Sequence, residues 1–233
     1  MIKRLLLAAS VLALAPVAPA HAQSQDRNWD ATYAETERGF RTGNPDAQIK
    51  LIVFMSYSCP HCAQFEMESD APMRLLYVQP GMLSLEVRNV LRNPLDLAAA
   101  LTAECGPESR YFGNMRAIMR AQEEWLDVAV NAGQATTNRW MSGPLPARMR
   151  AIADDLDFYE LMEPRGYSVA EIDRCLSDQA AIEALVARQE ADDAEFEIAG
   201  TPSFAINGNM LAGVHNWAAL QPALSAAAAS TGE

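Results

Sequence analysis

Residues 49–62 read IKLIVFMSYSCPHC. The first eight are almost all apolar, too few for an ordinary helix and unbroken by turn residues. Such a run predicts a central strand buried on both faces. Cys59-Pro60-His61-Cys62 follows at once, and proline suits the first turn of a helix. Ala63, Phe65 and Met67, with polar residues between them, carry that helix to about Asp70. The segment therefore predicts a strand feeding a helix, with two cysteines at the junction.

Working outward, residues 82–91 alternate well enough for a second strand, which makes a strand–helix–strand unit. Before it, residues 39–42 read as a short edge strand ending in a turn at Gly43-Asn44-Pro45-Asp46. From Pro94 to about Glu195 the periodicity is helical throughout. Leu97, Ala98 and Leu101 mark one face, Tyr111, Met115 and Ile118 another, and Ser168 is a plausible helix cap. Strand character returns only at residues 203–206 (SFAI). Asn207-Gly208 is a hairpin turn signal, with residues 210–212 as the partner strand. Asn216 then caps a last helix through Leu224. The expected architecture is an α/β unit in two parts, residues 39–93 and 197–229, interrupted by an all-helical insertion at 94–196. Residues 23–38 are polar and read as a flexible segment.

The chain has 233 residues and a formal net charge of −12, with no basic cluster after Arg4. That argues against nucleic acid as a partner, since phosphate contacts need a positive face. Residues 1–22 read as an export signal: Lys3 and Arg4, an apolar run at 5–14, then Ala20-His21-Ala22 as a small-x-small cleavage site. Cleavage after Ala22 is expected, with Ala18-Pro19-Ala20 as a weaker site. The apolar run is shorter than the roughly 20 residues a spanning helix needs. The expected location is the periplasm, an oxidising compartment where thiols pair.

Two cysteines two residues apart at a helix start have a chemical logic. The first sulfur meets amide N–H groups and the positive end of the helix dipole, which favour a thiolate. Cys59 is thus the expected exposed nucleophile, and Cys62, one turn on, the resolving thiol. His61 can add an N–H donor or positive charge near Cys59. A stabilised thiolate stabilises the reduced form and makes the disulfide oxidising. Two blander uses stay open. A CxxC can be half of a zinc site, which needs four ligands; of the other candidates, Cys105, Cys175, His61 and His215, the two cysteines lack CxxC spacing and His61 is locked between the first pair. It can also be a purely structural disulfide, which is strained over four residues. Gly200-Thr201-Pro202 precedes the SFAI strand, and on its residues alone Pro202 reads as an ordinary trans loop proline.

At this point the residues reach a family. FMSYSCPHC at 54–62, the helical insertion and GTPSFAINGN at 200–209, behind an export signal, resemble thioredoxin-fold disulfide oxidoreductases of the DsbA type. The resemblance covers roughly residues 39–224. It implies that Pro202 is cis and packed beside Cys59 and Cys62, and that the Thr201 backbone pairs with a substrate strand. It implies reduced or unfolded exported proteins as substrates and a membrane quinone-linked partner for reoxidation, with no cofactor or metal. Two departures stand out. Many thioredoxin-fold enzymes carry a buried acid six residues before the first cysteine, where this chain has Val53. A proton acceptor for Cys62 must come from elsewhere, or from water; Lys50 is near in sequence. Thr201 also occurs before the cis proline in relatives that reduce or isomerise disulfides, so an oxidase and a reductase or isomerase both remain open. A non-catalytic binding module with an idle CxxC is a third class.

Cys105 and Cys175 both fall in the helical block. Export makes a structural disulfide between them the working hypothesis, with two buried free thiols as the alternative. It would close a loop of about 70 residues, worth about 4 kcal/mol in the chain-entropy model. His215 reads as a hairpin-end histidine. Trp125, Trp140, Met115, Met119 and Met141 read as packing residues, and the acidic run 190–197 as a solvated helix end.

Overall fold

The computed structural model describes residues 28–230, so the export signal at 1–22, its cleavage site and residues 23–27 lie outside the described residues. Three strands precede the cysteines: β1 (Tyr33–Glu35), β2 (Phe40–Gly43) and β3 (Ile49–Met55). Then come α1 (Pro60–Met73), a π turn at Arg74–Val78 and β4 (Leu83–Asn89). Eight helices follow: α2 (Pro94–Ala103), α3 (Tyr111–Arg120), α4 (Gln122–Val130), α5 (Gln134–Met141), α6 (Leu145–Asp155), α7 (Phe158–Met162), α8 (Val169–Leu176) and α9 (Gln179–Glu195). The chain closes with β5 (Ser203–Ile206), β6 (Asn209–Met210) and α10 (Trp217–Ser230).

The sheet order is β1-β2-β4-β3-β5-β6. β3 and β4 are parallel, joined by α1, and every other pairing is antiparallel. β3 is central, as its unbroken apolar character requires. Ile49, Leu51, Val53 and Met55 face the main core with α1 and the helical block. Phe54 faces the other side, packed with Phe196 and Ala205. The β5–β6 hairpin turns on Asn207 and Gly208, whose φ angles are 49° and 81°. Two successive positive φ angles make the tight turn whose twist suits paired strands. The Asn207 side chain also accepts from the Lys50 backbone at 2.8 Å, which fixes the hairpin against β3.

Several local expectations need correcting. β2 is not an edge strand, because β1 pairs outside it, with Tyr33 opposite Thr42. The segment read as flexible at 23–38 is therefore ordered over its described part. Tyr33 anchors it, its hydroxyl donating to the Asp30 carbonyl and its ring lying against Phe112. β6 covers Asn209–Met210 rather than 210–212. α1 runs three residues beyond Asp70 with Pro72 inside it, and the chain then widens into the π turn. Asp192, in the acidic run, is buried rather than solvated, because it accepts from Arg38 at 3.1 Å and Arg88 at 2.7 Å. Met141 is exposed, whereas Met115, Met119, Trp125 and Trp140 are buried.

The helical block is tied across its length. Cys105, just after α2, forms a disulfide with Cys175 in α8. Ser168 caps α8 in a reciprocal capping box with Glu171.

Candidate active site

Cys59 is the N-cap of α1, in extended backbone, with Pro60 as the first helical residue. At an N-cap the side chain lies where the free N–H groups of the next residues point. The N–H groups of His61 and Cys62 accordingly face the Cys59 sulfur. In the dithiol form the Cys59 thiol donates to the Thr201 carbonyl at 3.2 Å. The Thr201–Pro202 peptide bond is cis. The Thr201 hydroxyl is buried, finds no other partner and faces the two sulfurs.

The two thiols are driven apart. The Cys59 thiol is pushed down to about 5, chiefly because Cys62 donates to its thiolate, with the Thr201 hydroxyl and the N–H groups of Cys62 and His61 adding to this against burial. Burial, then the adjacent Cys59, drives the Cys62 thiol far above the ordinary cysteine range. Cys59 is only 3% exposed and Cys62 fully buried, so the expectation of an exposed Cys59 is corrected. The Thr201–Pro202 segment covers it. The His61 ring is exposed, and the contribution of this residue to the Cys59 sulfur comes from its backbone N–H.

Residues outside the CPHC segment hold its approach loop. Asp96, on α2 and fully buried, accepts from the Ser56 hydroxyl at 2.8 Å, the Ser58 N–H at 2.7 Å, the Ser58 hydroxyl at 3.1 Å and the Arg92 N–H at 2.9 Å. Asn93 caps α2 and donates to the Ser58 hydroxyl at 2.8 Å. Gln122, at the start of α4, donates to the carbonyls of Tyr57 at 2.6 Å and Cys59 at 2.9 Å. Asp96 and Gln122 thus reach back from the helical block to the strand end that carries the cysteines. The sequence offered one cue: an Asn-Pro start with an acid two residues on, which reads as a cap.

His215, read as a bland hairpin histidine, lies with Nδ1 2.8 Å from the Pro202 carbonyl. A carbonyl only accepts, so Nδ1 carries the proton. Val53 is buried in mid-sheet, opposite Val87 and Phe204. Lys50 is exposed on the same strand and supplies no buried proton acceptor. Beside Pro60 an open groove of about 510 Å³ separates α1 from α3 and α4, with Met67, Met119, Leu126 and Val130 on its walls.

With this geometry in place, comparison with known proteins is specific. The family description "Thioredoxin" matches residues 35–226. The crystal structure of protein-disulfide isomerase from Novosphingobium aromaticivorans is similar at 42% identity and a TM-score of 0.78, over 81% of this chain and 96% of that one. The crystal structure of Wolbachia pipientis alpha-DsbA1 shares the fold at 16% identity and a TM-score of 0.65, over 82% and 90% of the two chains. Among curated proteins, a Rickettsia bellii chain named "Putative protein-disulfide oxidoreductase" is 23% identical over 78% of this chain and 62% of its own. The chain spans 53% to 62% of the length of the curated relatives it matches.

Proposed function

We propose that this chain, which belongs to the thioredoxin family, is a disulfide oxidoreductase of the DsbA type and acts as a periplasmic dithiol oxidase through Cys59 and Cys62. The observation that carries this reading is the Cys59 sulfur at the N-cap of α1, its thiolate favoured by Cys62, the Thr201 hydroxyl and two backbone N–H groups. A stabilised thiolate makes Cys59 a good leaving group and the Cys59–Cys62 disulfide a strong oxidant.

In the proposed reaction a substrate thiolate attacks the Cys59 sulfur of the disulfide. The Cys59–Cys62 bond breaks, its electron pair leaves on Cys62, and a mixed disulfide joins Cys59 to the substrate. A second substrate thiolate then attacks the substrate sulfur and Cys59 departs as thiolate. The substrate is oxidised by two electrons and the enzyme reduced by two. The Thr201 carbonyl, which the Cys59 thiol engages in the dithiol form, is the group a substrate backbone would meet. Unfolded exported proteins fit the apolar groove beside Pro60 as substrates. A membrane quinone-linked protein would return the enzyme to its disulfide form.

A second reading has its own support. The Novosphingobium structure, 42% identical, is titled a protein-disulfide isomerase, and Thr201 precedes the cis proline. The equilibrium reduction potential in a glutathione buffer separates the two. A value above roughly −180 mV is the expected outcome for an oxidase. A value near about −270 mV would overturn that direction and make the protein a reductase or isomerase fed by an electron donor.

A further inference from the structure

A substrate cysteine joined to Cys59 brings its chain neighbours with it, and their side chains need somewhere to lie. The Thr201–Pro202 segment covers the Cys59 sulfur from one side. The groove between α1, α3 and α4 includes neither of those residues and opens at Pro60, the residue after Cys59. Gln122 lines this groove and donates to the Cys59 carbonyl at 2.9 Å. Groove and sulfur are thus fixed to one piece of backbone. The volume of about 510 Å³ falls within the range of about 300–1,000 Å³ of small-ligand clefts, room for a few side chains and not for a folded domain.

The walls are apolar and wet. Met67 on α1 is 60% exposed and Val130 on α4 is 77% exposed, while Met119 and Leu126 lie deeper between them. Large apolar side chains facing one another across an open groove gain when a ligand displaces the water between them.

The rim adds a sign. Glu123 and Asp127 stand one turn apart on α4, so their carboxylates share a face, and both are exposed at the groove. Asp127 accepts from Asn131 at 3.0 Å, and among the described residues neither carboxylate forms an ion pair. Arg120, the cation at the groove, is paired with Asp70 at 3.2 Å. Two unpaired negative charges beside an apolar floor complement a segment that is apolar and basic together.

Resting on the reading of Cys59 as the sulfur that joins the substrate, we propose that this groove is a side-chain subsite of the enzyme and selects substrate segments in which an apolar residue and a lysine or arginine accompany the reacting cysteine. The apolar side chain lies between Met67 and Val130, and the basic one reaches Glu123 and Asp127.

The test uses the reduced protein and short peptides whose single cysteine is capped by nitrothiobenzoate. The Cys59 thiolate attacks the peptide sulfur, a Cys59–peptide disulfide forms, and the bond to the cap breaks. The coloured aryl thiolate leaves with the electron pair, so its release times this one step whichever way the enzyme works. A peptide with Leu and Lys beside its cysteine should react about fivefold faster than one with Leu and Glu, the upper range for one exposed ion pair. It should outrun a peptide with Ala and Lys by about tenfold, as partial burial of the larger side chain predicts. E123K/D127K inverts the preference between Lys and Glu. E123Q/D127N abolishes it and serves if the first variant folds poorly. E183K/E190K makes the same charge change on α9 and keeps the preference, which separates the groove from the field of an acidic chain. Equal rates for the Lys and Glu peptides, or a preference lost as fully in E183K/E190K, would overturn the proposal. So would rates per molecule that fall with protein concentration alongside a dimer in sedimentation, which would place a second copy in the groove. A wild-type protein that releases no colour from any peptide would instead overturn the reading of Cys59 beneath it.

Discussion

At the residue scale, the separation of two chemically identical thiols comes from one turn of helix. Cys59 occupies the N-cap, where backbone donors converge, while Cys62 faces the core, where charge is costly. This much followed from CxxC placed after an apolar run. The sequence could not reveal His215. It stands thirteen residues after Pro202, and only the return of the chain around β6 brings its ring to the Pro202 carbonyl. Replacing His215 with Ala removes that hydrogen bond beside the Thr201–Pro202 segment. The expected result is a loss of about 1 kcal/mol in stability and a raised KM for a peptide thiol, with kcat little changed. Steady-state kinetics with denaturant unfolding check it, and an unchanged KM would leave His215 as a purely local contact.

At the scale of elements, the loop from Ser56 to Cys59 belongs to two parts of the fold. β3 delivers it, and Asn93, Asp96 and Gln122 hold it from the far side. Their roles were not legible because each lies more than thirty residues from the cysteines along the chain. Periodicity places helices, but it does not say which polar side chain turns inward. Gln122 is the clearest case, buried and donating to two carbonyls. Gln122→Ala strands the Tyr57 carbonyl, whereas the Cys59 carbonyl keeps the Cys62 and Ala63 N–H groups, and a buried acceptor left unpaired costs about 1–3 kcal/mol. Urea unfolding should register that loss. Exchange at Cys59 should slow as well, since one carbonyl that Gln122 fixes belongs to the proposed nucleophile.

For the whole molecule, the order of strands and helices was readable, because the β-type and helical stretches are long and well separated. The outermost strand was not, since β1 is three residues in a polar context and gains its stability from pairing with β2. Two carboxyls, buried Glu66 and half-buried Glu104, are each pushed up to about 7, mainly by desolvation. Below about pH 4.3 such groups are protonated in folded and unfolded chains alike. Between there and about 7 only the folded chain keeps the proton, so stability falls as pH rises through that window, by up to about 3 kcal/mol per group. Glu66→Gln should therefore unfold at a higher temperature than wild type at about pH 8 and at nearly the same temperature at about pH 4. Equal shifts at both pH values would mean that the carboxyl ionises normally in the fold.

The hydrogen bond from Cys59 to Thr201 spans 142 residues of chain. A ribosome adding about 5–20 residues per second needs on the order of 10 s to cover that distance. For that interval the newborn polypeptide carries its most reactive sulfur before the segment that shelters it has been made. Cys105 emerges in the same interval, well ahead of Cys175, its eventual bridge partner. On the proposed function, a catalyst of thiol chemistry is thus, early in its own life, open to the errors of that chemistry, and the speed of synthesis becomes one determinant of how much of it matures correctly paired.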